Sequence, residues 1–505
     1  MYDTILNLSW GFSTALNLGN LFACFTGVLI GTLVGVLPGI GPLGGMCLLL
    51  PFTYHITPMQ AIIMMAGIFY GTQYGGSTTS ILMNIPGEIG SVVTCLDGYQ
   101  MARKGRAGAA LGMCAFGSFI GGTASVIGLM LIAPPLARAA LAFGPPEYFS
   151  LLSLGVLLTT YLGGGSKLKS FMMAFLGLFL GTVGMDLMTG DDRFIYGSLT
   201  LSDGIGIAPV AMGLFGVAEI LWNISEIKSN QKEKMIHTRI KGLLPNAHEW
   251  RRSLKPIGRG TVLGFLLGIL PGGGAILSSF ASYAMEKRLS KRPEEFGRGA
   301  IEGVAGPETA NNAATGGALI PLLTLGVPAT GAMAILLAAF LIHGLQPGPL
   351  LMKSDPHFFW GIIASMYIGN MMLVALNLPL IGIWVQILKI PYAILFPLIL
   401  VFAIIGCYSV NSNILEVGMM GMFGILGYFL RKFDFNPTPV IFGLILSPLI
   451  ENAFRQSLAM TEGVLIFVKR PISLAFLILF VLCVTAPLLK PSRWIGWFKG
   501  LSSAA

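Results

Sequence analysis

Two groups of residues carry the chemistry that this chain can offer. The first is a helix-breaking tip written twice: Gly35-Val36-Leu37-Pro38-Gly39-Ile40-Gly41 and, 233 positions on, Gly268-Ile269-Leu270-Pro271-Gly272-Gly273-Gly274. The match runs backwards in register, pairing Gly27 with Gly260, Gly31 with Gly264 and Leu33 with Leu266. Proline removes a backbone donor and the glycines admit positive φ, so a helix arriving through Leu37 or Leu270 should stop there. The second group is hydroxyl and amide: Gly71-Thr72-Gln73-Tyr74-Gly75-Gly76-Ser77-Thr78-Thr79-Ser80 leading to Asn84-Ile85-Pro86-Gly87-Glu88, and Gly306-Pro307-Glu308-Thr309-Ala310-Asn311-Asn312 leading to Gly326-Val327-Pro328. Half-helix N-termini present free N–H groups to carboxylates, while hydroxyls and unwound carbonyls suit Na⁺. An anionic organic solute moving with a cation is the chemistry that fits.

These groups sit inside a chain that is 54% hydrophobic and 10% charged over 505 residues, with 67 Gly and 25 Met and a mean hydropathy of +0.78. Soluble proteins carry about 25% charged residues, so the chain is an integral membrane protein with no room for a soluble domain. A stopped helix at membrane depth frees backbone groups that lipid cannot satisfy, and is tolerated only where protein or a wet cavity surrounds it. Gly/Pro-interrupted apolar segments at matching positions of two halves therefore point to a solute site in a secondary transporter. The upstream glycine spacing reads as close helix packing.

The positioning elements follow in order. Residues 18–54 form either a re-entrant hairpin or one broken span, with tips shaped by Gly39 and Gly41. Residues 58–70 read as a Met-rich helix entering an unwound crossing over 71–80. Spans follow at 107–134, 146–163, 168–188 and 205–224. Residues 225–259 read as one long basic loop, carrying Lys228, Lys232, Lys234, Arg239, Lys241, Arg251, Arg252, Lys255 and Arg259. By the positive-inside rule this linker, the turn Arg103-Lys104-Gly105-Arg106 and the Lys490–Lys499 tail lie in the cytoplasm. The second tip, with Gly272 and Gly274, has basic residues on both flanks and reads as a hairpin dipping in from the cytoplasm, and tracing back from Arg103 to Arg106 through one broken crossing puts the first hairpin outside. Further spans fall at 358–388, 391–408, 412–430, 437–450 and 471–489. The expected fold is an all-α polytopic membrane protein of about 10–12 spans at about 20 residues each. It divides into a first repeat (1–224), the basic linker (225–259) and a second, inverted repeat with C-terminal helices (260–505).

Other signals are weak. The six cysteines lie in or beside apolar runs without metal-ligand spacing and read as small core residues. Asp191 and Asp192 are adjacent loop carboxylates, better read as solvated than as a metal site. The five histidines are scattered, which disfavours an intramembrane enzyme. No Gly-x-x-x-x-Gly-Lys-Ser/Thr loop is present, and no basic stretch precedes the first apolar segment as a cleaved signal would require. Glu88, Asp97 and Glu308 are the carboxylates nearest the site, and helix-end charges commonly snorkel to water. That favours interfacial residues over a proton relay for all three.

The segments Gly31 through Pro38-Gly39-Ile40-Gly41, Tyr70-Gly71-Thr72-Gln73-Tyr74-Gly75-Gly76-Ser77, Asn84-Ile85-Pro86-Gly87, Asp97-Gly98-Tyr99-Gln100, Gly306-Pro307-Glu308 and Asn311-Asn312 resemble the large membrane subunit of the tripartite tricarboxylate transporters over essentially the whole chain. The resemblance implies a permease of the bacterial inner membrane working with a small four-helix membrane subunit and a periplasmic solute-binding protein. It also implies ion-driven import of citrate or a related carboxylate, with no cofactor beyond a possible coupling Na⁺ and no nucleic-acid partner. Gly39, Gly41, Gly272 and Gly274 would then shape the tips. Ser77, Thr78, Thr79, Asn84, Thr309, Asn311 and Asn312 would touch solute or cation. A channel is the alternative from another class.

Overall fold

The computed structural model describes residues 2–37, 39–162, 166–186, 188–227, 242–388, 390, 392–460 and 463–489. Pro38, the linker residues Lys228 to Lys241 and the Lys490–Lys499 tail lie outside them. The regular secondary structure of the described residues is helical apart from a two-residue antiparallel pair, β1 (Gly184–Met185) with β2 (Asp192–Arg193), as expected of an all-α polytopic membrane protein. Among the described residues six helices are long and apolar enough to cross a bilayer, or seven if a pair bent by 89° at 463–485 counts as one span. The expectation of ten to twelve also counted half-length and polar helices, which length and composition alone do not pass.

Helix α1 (Tyr2–Ala15) leads into α2 (Leu18–Val36), which stops at Leu37 with an extended backbone. The chain turns through Gly39 (φ +97°) and Gly41 (φ +63°) into α3 (Gly41–Leu49). Helix α4 (Pro58–Met83) opens with a capping box between Thr57 and Gln60 and ends at Asn84 in the left-handed region, φ 58°. After the break come α5 (Val92–Arg103), α6 (Ala107–Ala140), α7 (Pro145–Leu162) and α8 (Lys167–Leu180). Short turns α9 (Leu199–Ser202) and α10 (Ile207–Ala211), a π-helical stretch Met212–Val217 and α11 (Ala218–Ile227) complete the first half.

The second half repeats this pattern. Helix α12 (Ala247–Ile269) stops at Leu270, again extended, and turns through Gly272 (φ +83°) and Gly274 (φ +44°) into α13 (Gly274–Leu289). Helix α14 (Glu302–Leu325) ends at left-handed Gly326, φ 70°, before α15 (Gly331–Ile342). Short α16 (Pro349–Ser354), α17 (Pro356–Asn377), short α18 (Ile381–Ile387), α19 (Tyr392–Asn411), α20 (Ile414–Lys432), α21 (Thr438–Ala459), α22 (Ile466–Lys469) and α23 (Pro471–Leu489) follow.

The repeat is one of packing as well as sequence. On α2, a methyl added to Gly27, Gly31 or Gly35 would strike the backbone carbonyls of Met64, Ile68 and Thr72. On α12, Gly260, Gly264 and Gly268 meet those of Gly306, Ala310 and Ala314 in the same way. Helix α4 therefore maps onto α14 at an offset of 242, nine more than the 233 that maps α2 onto α12. The offset of 242 also pairs Asn84 with Gly326 and Pro86 with Pro328, so the two left-handed helix ends correspond. Glycine is required at the seams because backbone must approach backbone.

Two expectations are corrected. The hydroxyl run 71–80 is not unwound: α4 passes through it unbroken, and the break comes at Asn84. Every residue from Ala61 to Leu82 is buried, as is every residue of α14 from Gly303 to Thr324. Several of their hydroxyls are satisfied within the helix, with Thr72 donating to Phe69 O, Ser80 to Gly76 O and Thr324 to Ile320 O, so polarity does not force unwinding. The second correction is in the basic stretch: residues 247–259 are the start of α12, which is nucleated by a reciprocal cap between Asn246 and Glu249.

The chain forms two compact units, Met1–Arg138 with Gly206–Pro437, and Ala139–Ile205 with Thr438–Ala505. Each takes chain from both sequence halves. The smaller unit packs α7 and α8 on α21 and α23. In it, Gly177 abuts the Val440 backbone, Ser447 Oγ donates to Leu178 O at 2.9 Å, and Phe149 packs on Phe454 and Phe467. Its 181–205 loop is held by Arg455 and Arg193 to Asp186 and Glu451.

Candidate functional site

The polar site of the larger unit is built where α4 and α14 run side by side with α5 and the 84–91 break. Glu308 is fully buried on α14 and accepts from Ser77 Oγ at 2.6 Å and from Thr94 Oγ1. Glu88, 6% exposed, caps the short 3₁₀ turn at 89–91 by accepting from the Gly90 N–H at 2.6 Å. It also accepts from Asn311 Nδ2 at 2.9 Å. The buried Gln73 amide, turned with its nitrogen toward the carboxylate, adds donations at 3.1 and 3.2 Å. Asn311 stands one helical turn after Glu308, so the two carboxylates share one polar core.

Among the described residues no ion pair reaches Glu88 or Glu308; each is held by neutral donors alone. This corrects the reading of both as water-facing helix-end residues. Asp97 is buried too, bound by the backbone N–H groups of Gly299 and Ala300 at 2.7 and 2.8 Å and by Tyr283 Oη at 3.0 Å. Its role is to hold the 299–303 entry of α14 against α5. A buried carboxylate without a paired cation is costly in a membrane interior and marks function there more often than structure.

A cavity of about 10 Å³ lies against Ser77, the residue that donates to Glu308, and is lined on its polar side by Tyr74, Ser77, Thr78, Ser118 and Asn377. That is room for about one water-sized species.

The residues singled out in the sequence part company here. Ser77, Thr78, Asn311 and Asn312 converge on the carboxylates and the cavity, with Asn312 Nδ2 donating to Ser118 Oγ at 2.7 Å and to Glu308 O at 3.1 Å. Thr79 is turned to the first hairpin, donating to Val36 O at 2.6 Å. Thr309 bonds back to Ala305 O and packs on Gly117 and Gly121. Asn84 is exposed at the helix end. The tip glycines meet other groups: Gly39 faces the side chains of Asn223 and Glu219, while the Gly272 N–H donates to Ala329 O at 2.7 Å and Gly274 faces Thr330. Both tips are thus tied to the break that follows in their own half or to α11. A side chain at Gly39 or Gly272 would need a positive φ that L-residues resist.

Sequence reasoning missed Thr94, Ser118, Asn370 and Asn377. Tyr74 Oη donates to Asn370 Oδ1 at 2.5 Å, and Asn370 Nδ2 reaches Phe119 O and Thr123 Oγ1. Ser118, Asn370 and Asn377 sit in otherwise apolar helices with no motif to announce them, and Thr94 lies just before the Asp97-Gly98-Tyr99-Gln100 segment on α5. Among the described residues no group of three His, Cys, Asp or Glu could hold a metal ion.

Basic residues frame one end of the second hairpin. Arg252 bridges Glu302 at 2.6 Å and Glu295 at 2.5 Å, and its guanidinium holds the Glu295 carboxyl below the usual range. Arg259 pairs with Glu286, Arg106 with Glu249, and Lys104 Nζ donates to Arg298 O at 2.6 Å. The turn at 103–106 and the base of the second hairpin therefore meet on one face.

A protein of Agrobacterium vitis described as an uncharacterized 52.8 kDa protein in the TAR-I ttuC' 3' region is 52% identical over 494 residues, 98% of each chain. A second from that organism, described by the TAR-II ttuC' 3' region, is 54% identical over 231 residues, 46% of this chain and 96% of its own. No solved structure matches. Residues 21–442, from the first hairpin helix through the start of α21, match the model of the tripartite tricarboxylate transporter TctA family, and the chain belongs to that family.

Proposed function

We propose that this transporter component is the translocating subunit of an importer in the bacterial inner membrane. It takes a tricarboxylate or related carboxylate from a periplasmic binding protein, works beside a small four-helix membrane subunit, and is driven by Na⁺ or H⁺. One observation carries the reading: a hairpin tip and a left-handed helix break occur twice at matching positions, beside a core holding two carboxylates that only neutral groups contact. Broken helices at corresponding positions are how secondary transporters present N–H groups to anions and oxygens to cations. The tips, with Gly39, Gly41, Gly272 and Gly274 at positive φ, supply backbone for the anion. The Glu88–Glu308 core repels a carboxylate and suits the coupling ion.

The test is uptake of labelled citrate into proteoliposomes holding this chain and its small subunit, with and without the binding protein and an inward Na⁺ gradient. Uptake that needs both additions supports the proposal. Uptake of a different carboxylate on the same terms changes the solute only. Flux needing neither binding protein nor any ion gradient overturns it in favour of a channel.

A further inference from the structure

We propose that the cavity bounded by Tyr74, Ser77, Thr78, Ser118 and Asn377 binds one dehydrated Na⁺, with the Glu308 carboxylate behind Ser77 as its countercharge. The proposal rests on the transporter reading and gives the coupling ion a place. Four observations converge. The cavity, about 10 Å³, takes one water-sized species. Two of its four hydroxyl protons point elsewhere: Ser77 donates to Glu308 and Tyr74 to Asn370, which leaves their oxygen lone pairs for the cavity. Ser118 Oγ, also on the lining, accepts from Asn312 Nδ2 at 2.7 Å.

The fourth observation is Asn377, which lines the cavity and is only 6% exposed. Its Nδ2 donates to Leu373 O at 2.9 Å, while its Oδ1 has no partner. A buried acceptor left unpaired costs free energy unless something occupies the space beside it. The acceptor oxygens on the cavity's polar side, next to a carboxylate that no cation pairs, favour a cation over a water or an anion. The same charge excludes the carboxylate solute, so ion and solute occupy separate places.

The experiment is thermal unfolding of the purified full-length chain in detergent, titrated with NaCl against choline chloride or KCl at constant ionic strength. Wild type should show a saturable rise in midpoint with Na⁺ that choline and K⁺ do not give, because binding to the folded state stabilises it by mass action. Asn377→Leu and Ser77→Ala should each raise the half-saturating Na⁺ concentration about tenfold, and Glu308→Gln at least as much. If one of these variants does not fold, Thr78→Val is the substitute. A wild-type response identical in Na⁺, K⁺ and choline overturns the proposal, as does an Asn377→Leu curve that coincides with wild type. Citrate uptake driven by a proton gradient, with no Na⁺ response, sinks the cation site and leaves the import reading standing. A Na⁺ response with no carboxylate uptake under any combination of partners does the reverse.

Discussion

The glycine seam can be tested at one position with an internal control. A Cβ added at Gly264 would lie 2.6 Å from Ala310 Cα and 2.7 Å from its carbonyl carbon, and closer still to the carbonyl oxygen. Carbon atoms in contact prefer about 3.5–4.0 Å, so α12 and α14 must part by about 1 Å to admit one methyl. Overpacking of that kind costs about 1–3 kcal/mol, against a gain of about 0.5–1 kcal/mol for replacing glycine within a helix. Gly264→Ala should therefore lose about 1–2 kcal/mol by the same balance. Gly258, two turns earlier on the same helix, is exposed and has nothing within 4 Å of its added Cβ. Gly258→Ala should gain about 0.5–1 kcal/mol. The assay is thermal unfolding of the two variants and wild type in one detergent. Gly31→Ala, the counterpart at the α2–α4 seam, should lose stability like Gly264→Ala, since its Cβ meets the Ile68 backbone. A Gly264→Ala protein as stable as wild type would refute the seam. Equal losses at 264 and 258 would show that helix flexibility, not close approach, is what glycine supplies.

Two further outcomes follow from local geometry. At Asn84, φ 58° makes the backbone the constraint, so Asn84→Gly should leave stability and uptake near wild type while Asn84→Val costs about 1–2 kcal/mol; loss of uptake in a stable Asn84→Gly variant would restore the side chain as a solute contact. At Asp186, the Met188 N–H and then the Arg455 guanidinium hold the carboxyl at about 2, below its ordinary 3.8. A depressed carboxyl contributes stability above its unfolded value and loses it as pH falls through the folded one. Asp186→Asn should accordingly unfold below wild type at pH 7, with the gap closing between about pH 4 and pH 2; a gap that persists unchanged at pH 2 would contradict the assignment.

The sequence by itself determined the class of protein, the duplication and the stops. Apolar content with few charges dictates a membrane solvent, and proline followed by glycine halts a helix wherever it falls, so both tips were legible without coordinates. The pairing of Gly27, Gly31 and Gly35 with Gly260, Gly264 and Gly268 was legible too, because backbone contact tolerates no other residue. What the tertiary structure decided is which polar residues face one another. Ser and Thr can satisfy themselves on their own helix, so the run at 71–80 stays helical once protein surrounds α4 on every side. Glu88 and Glu308, 220 positions apart, reach one core only because α4 and α14 pack with α5 and because Asn311 and Thr94 are turned toward them. Asn377 and Ser118 carry no local signal at all. Local rules follow from the backbone, whereas the partners of a single buried amide are set by which helices meet around it.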